Sequence, residues 1–166
     1  YQKADPTLGN TITFSLSVSE IESADPAKPY GLFGANSGTI QDLGIAGSVT
    51  ISSSDNVYFG SIAGYNQGDG VITDCFSSCD VSLTIDGFNL YPNVGGIVGQ
   101  NEGTLENSYA VGDVMVTVPG YANAGGIVGN NLNTIFNCYA AGNVTVTDSS
   151  TSVGTAGGIA GYNDRV

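Results

Sequence analysis

The sequence predicts an all-β fold: a right-handed parallel β-helix of about four to five coils, each of three short strands. Four observations carry that expectation. One short phrase recurs five times, as Tyr30 to Asn36, Phe59 to Asn66, Gly95 to Asn101, Gly125 to Asn131 and Gly157 to Asn163; Gly125-Gly126-Ile127-Val128-Gly129-Asn130-Asn131 is its clearest copy. The closing residues Asn36, Asn66, Asn101, Asn131 and Asn163 stand 30, 35, 30 and 32 residues apart, a period that belongs to stacked repeats. Every full unit then carries an alternating stretch, such as Val49-Thr50-Ile51-Ser52, Val81-Ser82-Leu83-Thr84 or Val144-Thr145-Val146-Thr147, which is the period-two pattern of a strand with one buried face. Lastly, 25 glycines and no useful stretch of helical spacing exclude helices.

Residues 1–29 read as an N-terminal cap and lead-in, and residues 30–166 as the repeats. Gly9 to Ser19 alternates like the last strand of a unit and is expected to cover the first end of the core; Glu20 to Pro29 reads as the loop leading in. In the first unit, Tyr30 to Ile51, Leu43, Ile45 and Val49 replace the usual polar-aromatic pattern but keep the spacing. The second, Phe59 to Ile85, has a two-residue insertion within Gln67-Gly68-Asp69-Gly70. The third and fourth run from Val94 to Val118 and from Ala124 to Thr147. Side loops join them: Asp86 to Asn93 with Phe88 and Tyr91, Pro119 to Asn123 with Tyr121, and the Ser/Thr-rich Asp148 to Thr155. The last copy opens at Gly157 without a second half. Within a coil of about 4.8 Å rise, equivalent residues stack in ladders. The Asn column is expected at a turn, with a left-handed backbone, bonding the next rung.

Gly95-Gly96-Ile97-Val98-Gly99-Gln100-Asn101 followed by Gly103-Thr104-Leu105-Glu106-Asn107-Ser108-Tyr109-Ala110-Val111-Gly112-Asp113-Val114 resembles the GLUG-type repeat. The resemblance covers roughly Tyr30 to Asn163. It implies a bacterial secreted or cell-surface protein of the adhesin type. Some relatives of that kind contain a zinc peptidase, which needs His-Glu-x-x-His, and this chain has no His.

Composition narrows the function. The formal net charge is -12, and the only basic residues are Lys3, Lys28 and Arg165. Nucleic acid and anionic membrane are therefore poor partners, and no apolar run is long enough to span a bilayer. The first residue is Tyr1 rather than Met and no signal peptide is present, as expected of a processed or excised piece. An extracellular or cell-surface location fits these features. Lyase chemistry on a β-helix needs a cation, and Tyr30 to Tyr162 contains no Lys, Arg or His. A carboxylate pair such as Glu102 and Glu106 sits where other copies have unrelated residues, which reads as solvent-facing. The chain is expected to be no enzyme. It is expected to hold no cofactor: Asp69, Asp74 and Asp80 raise a weak calcium reading without a calcium-loop motif. Cys75 and Cys138 share a column two coils, or about 9.6 Å, apart, too far for a disulfide. Cys75 and Cys79, four apart across an expected turn, are the candidate disulfide, beside a reading of all three as small buried thiols.

The expected role is structural or adhesive: a stalk or display module. Phe88, Tyr91 and Tyr121 on the loop edge are the candidate ligand site, for a glycan or a protein. A second reading is a filament subunit, whose partner is a further copy joined end to end through the incomplete first and last coils. A third is ice binding through the outward pairs Thr50/Ser52, Ser82/Thr84, Met115/Thr117 and Thr145/Thr147, against which stands the ordinary preference of Thr for exposed strands.

Overall fold

The computed structural model describes residues 11–19, 28–148 and 154–164, with 11–19 described as backbone alone. Strand β1 (Thr11–Ser19) precedes the first full coil, which is β2 (Lys28–Tyr30), β3 (Phe33–Asn36), β4 (Thr39–Gln41) and β5 (Gly44–Ser53). The second coil is β6 (Val57–Gly60), β7 (Ala63–Asn66), β8 (Val71–Thr73) and β9 (Phe76–Ile85). The third is β10 (Asn93–Gly95), β11 (Val98–Asn101), β12 (Thr104–Glu106), β13 (Tyr109–Ala110) and β14 (Val114–Val118). The fourth is β15 (Asn123–Gly125), β16 (Val128–Asn131), β17 (Thr134–Phe136), β18 (Tyr139–Ala140) and β19 (Val144–Asp148). A half coil follows, β20 (Thr155–Gly157) and β21 (Ala160–Asn163).

Each strand pairs in parallel with its equivalent in the next coil, so the chain is a β-solenoid of about four turns. The first sheet is β2-β6-β10-β15-β20 and the second is β3-β7-β11-β16-β21. The third is β4-β8-β12-β17, and the fourth runs from β1 through β5 and β9 to β13-β18 and β14-β19. Four faces per coil replace the three expected from sequence. The Gly-Gly-Ile-Val-Gly stretch is not one strand but two, bent at the glycines. A Cβ on Gly95 would sit 2.1 Å from the Val98 carbonyl oxygen, and one on Gly96 2.3 Å from that of Gly126. Only a chain without side chains at those points can fold back so closely.

The lead-in also differs from expectation. Lys28–Tyr30 is already a strand, paired with β6, so the first coil opens two residues before Tyr30. Residues 20–27, the rest of that expected loop, and 149–153 of the last side loop lie outside the described residues. Strand β1 aligns with β5 from Thr11↔Gly44 to Ser19↔Ser52.

The core is a set of apolar columns parallel to the solenoid axis. Ile62, Ile97 and Ile127 are fully buried in one, and Ile72 and Leu105 in another. Val49, Val81 and Val114 form a third, and Ile51, Leu83 and Val116 a fourth. Burial of each such side chain contributes about 1.5–3 kcal/mol. One rung is polar. Where the third and fourth coils have Gly96 with Ala110 and Gly126 with Ala140, the second has Ser61 with Ser77. The Ser77 hydroxyl lies 2.8 Å from Ser61 Oγ, which itself donates to the Gly96 carbonyl at 2.6 Å. The two hydroxyls satisfy each other in a space the other coils fill with a methyl group against bare backbone.

Candidate functional site

Three surfaces carry side chains that could act on a partner or a substrate: the inner asparagine ladder, a seam between the first two sheets, and the loop edge. In the ladder, Asn36 Nδ2 donates to Asn66 Oδ1 at 2.9 Å, Asn66 to Asn101 at 2.8 Å, Asn101 to Asn131 at 2.8 Å and Asn131 to Asn163 at 2.7 Å. Each of the four donors also bonds backbone, as Asn66 does to the carbonyls of Gly70 and Thr104 at 3.2 Å. Asn66 and Asn101 are fully buried, so the middle of the ladder offers no group to a ligand. These residues end their strands in extended backbone. The left-handed positions are instead Asp42, Asp74, Asn107 and Asn137, with φ of 54°, 53°, 49° and 51°. They lie at the turn into the fourth sheet, where Asx residues tolerate that conformation. Asn137 Nδ2 donates to Asn107 Oδ1 at 2.7 Å, a second short ladder on that corner.

The seam was not anticipated. The outer faces of the first and second sheets fold toward each other, so equivalent residues meet across it in the second and third coils. Tyr58 and Tyr65 meet edge to face, 6.3 Å between ring centroids. One coil later Asn93 Nδ2 donates to Gln100 Oε1 at 3.1 Å, and Gln100 Nε2 to Glu102 Oε1 at 2.9 Å. Along the seam Asn123 donates to Asn93 at 2.9 Å and the Thr155 hydroxyl to Asn123 at 2.7 Å. Burial, and then a hydrogen bond to Glu102, push the Tyr65 hydroxyl up to about 12. At neutral pH that phenol is a donor and not a base. The seam fastens two sheets and presents no poised acid–base pair.

Repeat geometry decides what kind of chain this is. Coils three and four superpose residue for residue in register, Asn93↔Asn123, Val98↔Val128, Thr104↔Thr134, Tyr109↔Tyr139 and Val114↔Val144. A family model for the GLUG motif matches residues 91–115 and 120–147, the same two coils. The chain carries GLUG repeats. Neither a curated protein nor a solved structure matches it. The first two coils keep the same strand order and register as the matched GLUG coils, although Leu43 and Ile45 in the one and the Gly68-Asp69-Gly70 insertion in the other alter the motif.

On the loop edge of the GLUG solenoid, Tyr91 and Tyr121 stack with centroids 5.3 Å apart and 14° between planes. They are 53% and 47% exposed; the Asn56 side-chain carbonyl accepts from the Tyr91 N–H. Phe88, three residues earlier, is 73% exposed beside Asn89, whose φ is 57°. The structure thus brings the two tyrosines together and holds Phe88 on the same loop as one of them. Stacking uses one face of each tyrosine. About half of each residue stays exposed. A second aromatic stack runs along the outer side of the fourth sheet, from Phe76 to Tyr109 at 5.4 Å and on to the half-exposed Tyr139 at 4.9 Å.

The three cysteines are free thiols, with Cys75 and Cys79 buried. A strand separates that pair, not the expected turn. From Phe76 at the start of β9 to Cys79 the extended chain covers about 10 Å, beyond disulfide reach. Burial pushes both thiols from 9.0 up to about 11, and Cys138 also rises, again chiefly by burial. Such thiols resist oxidation near neutrality. As pH climbs from about 9 to about 11, the unfolded chain loses thiol protons that the folded chain keeps, so stability must fall. Thermal unfolding across that window should show a falling midpoint, with a shallower fall in a Cys75→Ala/Cys79→Ala variant; an unchanged slope in the double variant would remove the thiols as the cause. Among the described residues no group of three His, Cys, Asp or Glu side chains gathers to hold a metal ion. The carboxylates of Asp80 and Asp113 accept backbone N–H groups of the next coil, from Asp113 at 2.9 Å and Asn143 at 2.7 Å.

Proposed function

We propose that this GLUG solenoid is a non-catalytic structural module that displays its loop edge to a partner, in the manner of an adhesin stalk outside the cell. The stacked and exposed Tyr91–Tyr121 pair is the observation that carries the reading. Large aromatic rings held on loops over a stiff scaffold offer CH–π contact and hydroxyl hydrogen bonds at little entropic cost. That chemistry suits a glycan or a protein surface. The charge of -12 turns the module away from nucleic acid and anionic lipid, and supports a soluble, self-repelling surface.

No cofactor and no catalysis enter this reading. The buried asparagines of the ladder bond one another, and the tyrosine with the largest shift is held as a donor. Two features weigh against ice binding through the fourth sheet: Met115 is 51% exposed in the middle of one column, and Ser82, Thr84 and Thr117 are half-buried.

Binding to glycan and protein arrays, with Tyr91→Ser/Tyr121→Ser as comparison, tests the display reading. The double substitution should leave the far-ultraviolet circular dichroism unchanged and weaken any captured ligand at least about tenfold, as expected for losing about 1.4 kcal/mol or more of contact. Binding that survives the double substitution would place the ligand elsewhere.

A further inference from the structure

We infer that the seam is a binding site for one buried water in the fourth coil, held between Asn123 on the first sheet and Asn130 on the second. The site is separate from the displayed tyrosines and lies inside the solenoid. The rung before it carries Asn93 and Gln100, and the rung after it Thr155 and Tyr162.

The seam's hydrogen bonds form one chain. The Thr155 hydroxyl donates to Asn123 Oδ1 at 2.7 Å, and Asn123 Nδ2 to Asn93 Oδ1 at 2.9 Å. Asn93 Nδ2 then donates to Gln100 Oε1 at 3.1 Å, and Gln100 Nε2 to Glu102 Oε1 at 2.9 Å. Asn130 follows Gln100 in its column but stands outside that chain. Its Oδ1 is buried and has no hydrogen-bond partner among the described residues. Folded chains rarely leave a buried carbonyl oxygen in that state, because nothing replaces the water it gave up. Turning the amide over would only exchange an unpartnered acceptor for an unpartnered donor.

The difference from the third coil is one methylene. There Gln100 reaches Asn93 directly. In the fourth coil the same positions hold Asn123 and Asn130, and the shorter side chain stops one carbon sooner. An amide nitrogen carries two protons. Asn123 gives one to Asn93, and its other proton serves the seam as the Asn93 proton given to Gln100 does. A water between the two side chains accepts that proton and donates to Asn130 Oδ1. Two polar partners suffice to hold a buried water, and such a bridge is nearly as favourable as a direct bond. The fourth coil also has Leu132 where the third has Glu102. This rung therefore offers amides without a carboxylate, which suits a neutral ligand better than a metal ion.

A crystal structure of the unaltered chain tests the site first. One ordered water should lie about 2.7–3.2 Å from both Asn130 Oδ1 and Asn123 Nδ2. Asn130→Gln restores the third-coil pair, so its longer amide should displace the water and bond Asn123 directly. Oxygen-17 relaxation dispersion, which counts long-lived waters in solution, should lose one such water in that variant. Its thermal midpoint should hold or rise, because no water has to be immobilised. Asn130→Leu keeps similar bulk without a polar group. It should lose the same water but unfold at a lower temperature, because the Asn123 proton is then left unpaired. Circular dichroism checks that both variants fold. An unaltered chain in which the Asn130 oxygen meets a protein group, a metal ion or bulk solvent instead would overturn the site. So would a folded Asn130→Gln chain with an unchanged count of long-lived waters.

Discussion

Replacing Asn101 by alanine should cost about 3–5 kcal/mol, enough to lower the thermal midpoint by about 10 °C or more. The side chain is fully buried at the centre of the ladder. Its Nδ2 donates to Asn131 Oδ1 at 2.8 Å and to the Thr134 carbonyl at 3.2 Å, and its Oδ1 accepts from Asn66 at 2.8 Å. Alanine removes all three bonds. It also leaves the Asn131 oxygen and the Thr134 carbonyl facing a space that no apolar atom fills. Each polar group stranded in that way costs about 1–3 kcal/mol. Asn101→Asp should be no better, because it keeps the acceptor, loses the donors and places a charge where water does not reach.

Position along the solenoid makes the claim specific. Asn36, at the head, has one ladder partner, Asn66, and lies 8% exposed beside the Gly38 backbone it also bonds. Asn36→Ala should cost about 1–2 kcal/mol, well under half the central value. Chemical denaturation of the two variants checks the ratio. Equal costs would mean that each asparagine serves its own coil, and that the ladder between coils adds nothing.

The same ladder shows why much of this fold was legible in the sequence. Each coil must place one chemical group at one height, so the intervals of 30, 35, 30 and 32 between asparagines are also the separations of successive donors and acceptors. Alternation marked the long strands for a similar reason, since one face is always core. The left-handed corner carried an equally clear signal. Asp42, Asp74, Asn107 and Asn137 are all Asx residues at equivalent positions, and that conformation was credited to the wrong column. The first-sheet bend was hidden, because glycines carry no alternation with which to mark two strands. The seam was hidden for the opposite reason. Its pairs change identity from Tyr58/Tyr65 to Asn93/Gln100, so a search for repeated residues passes over a repeated geometry. Of the expected loop site, exposure of the three aromatics followed from their place outside the repeat, but the stacking of Tyr91 on Tyr121 needed the register of the coils.

Gly99→Ala should be among the most damaging single-methyl changes, costing about 3 kcal/mol or more. Gly99 lies in β11 where the second sheet folds back onto the first. A Cβ there would stand 2.4 Å from the Phe59 amide nitrogen, 2.6 Å from the Gly64 carbonyl oxygen and 2.7 Å from the Tyr58 carbonyl carbon. All three are backbone atoms held in parallel ladders, so no side chain can swing aside. Relief requires opening the angle between the two sheets, and that stretches the Asn93–Gln100 bond across the seam. Gly129 repeats the geometry one coil later, with the Val94 amide nitrogen 2.3 Å from its Cβ position. The control is Gly120→Ala, on the side loop, where nothing lies within 4 Å; it should change stability by less than about 0.5 kcal/mol. Equilibrium unfolding of the three variants separates close backbone approach from the general loss of chain freedom that any glycine replacement brings. If Gly99→Ala proved as mild as Gly120→Ala, the two sheets could not be folded together as tightly as the seam requires.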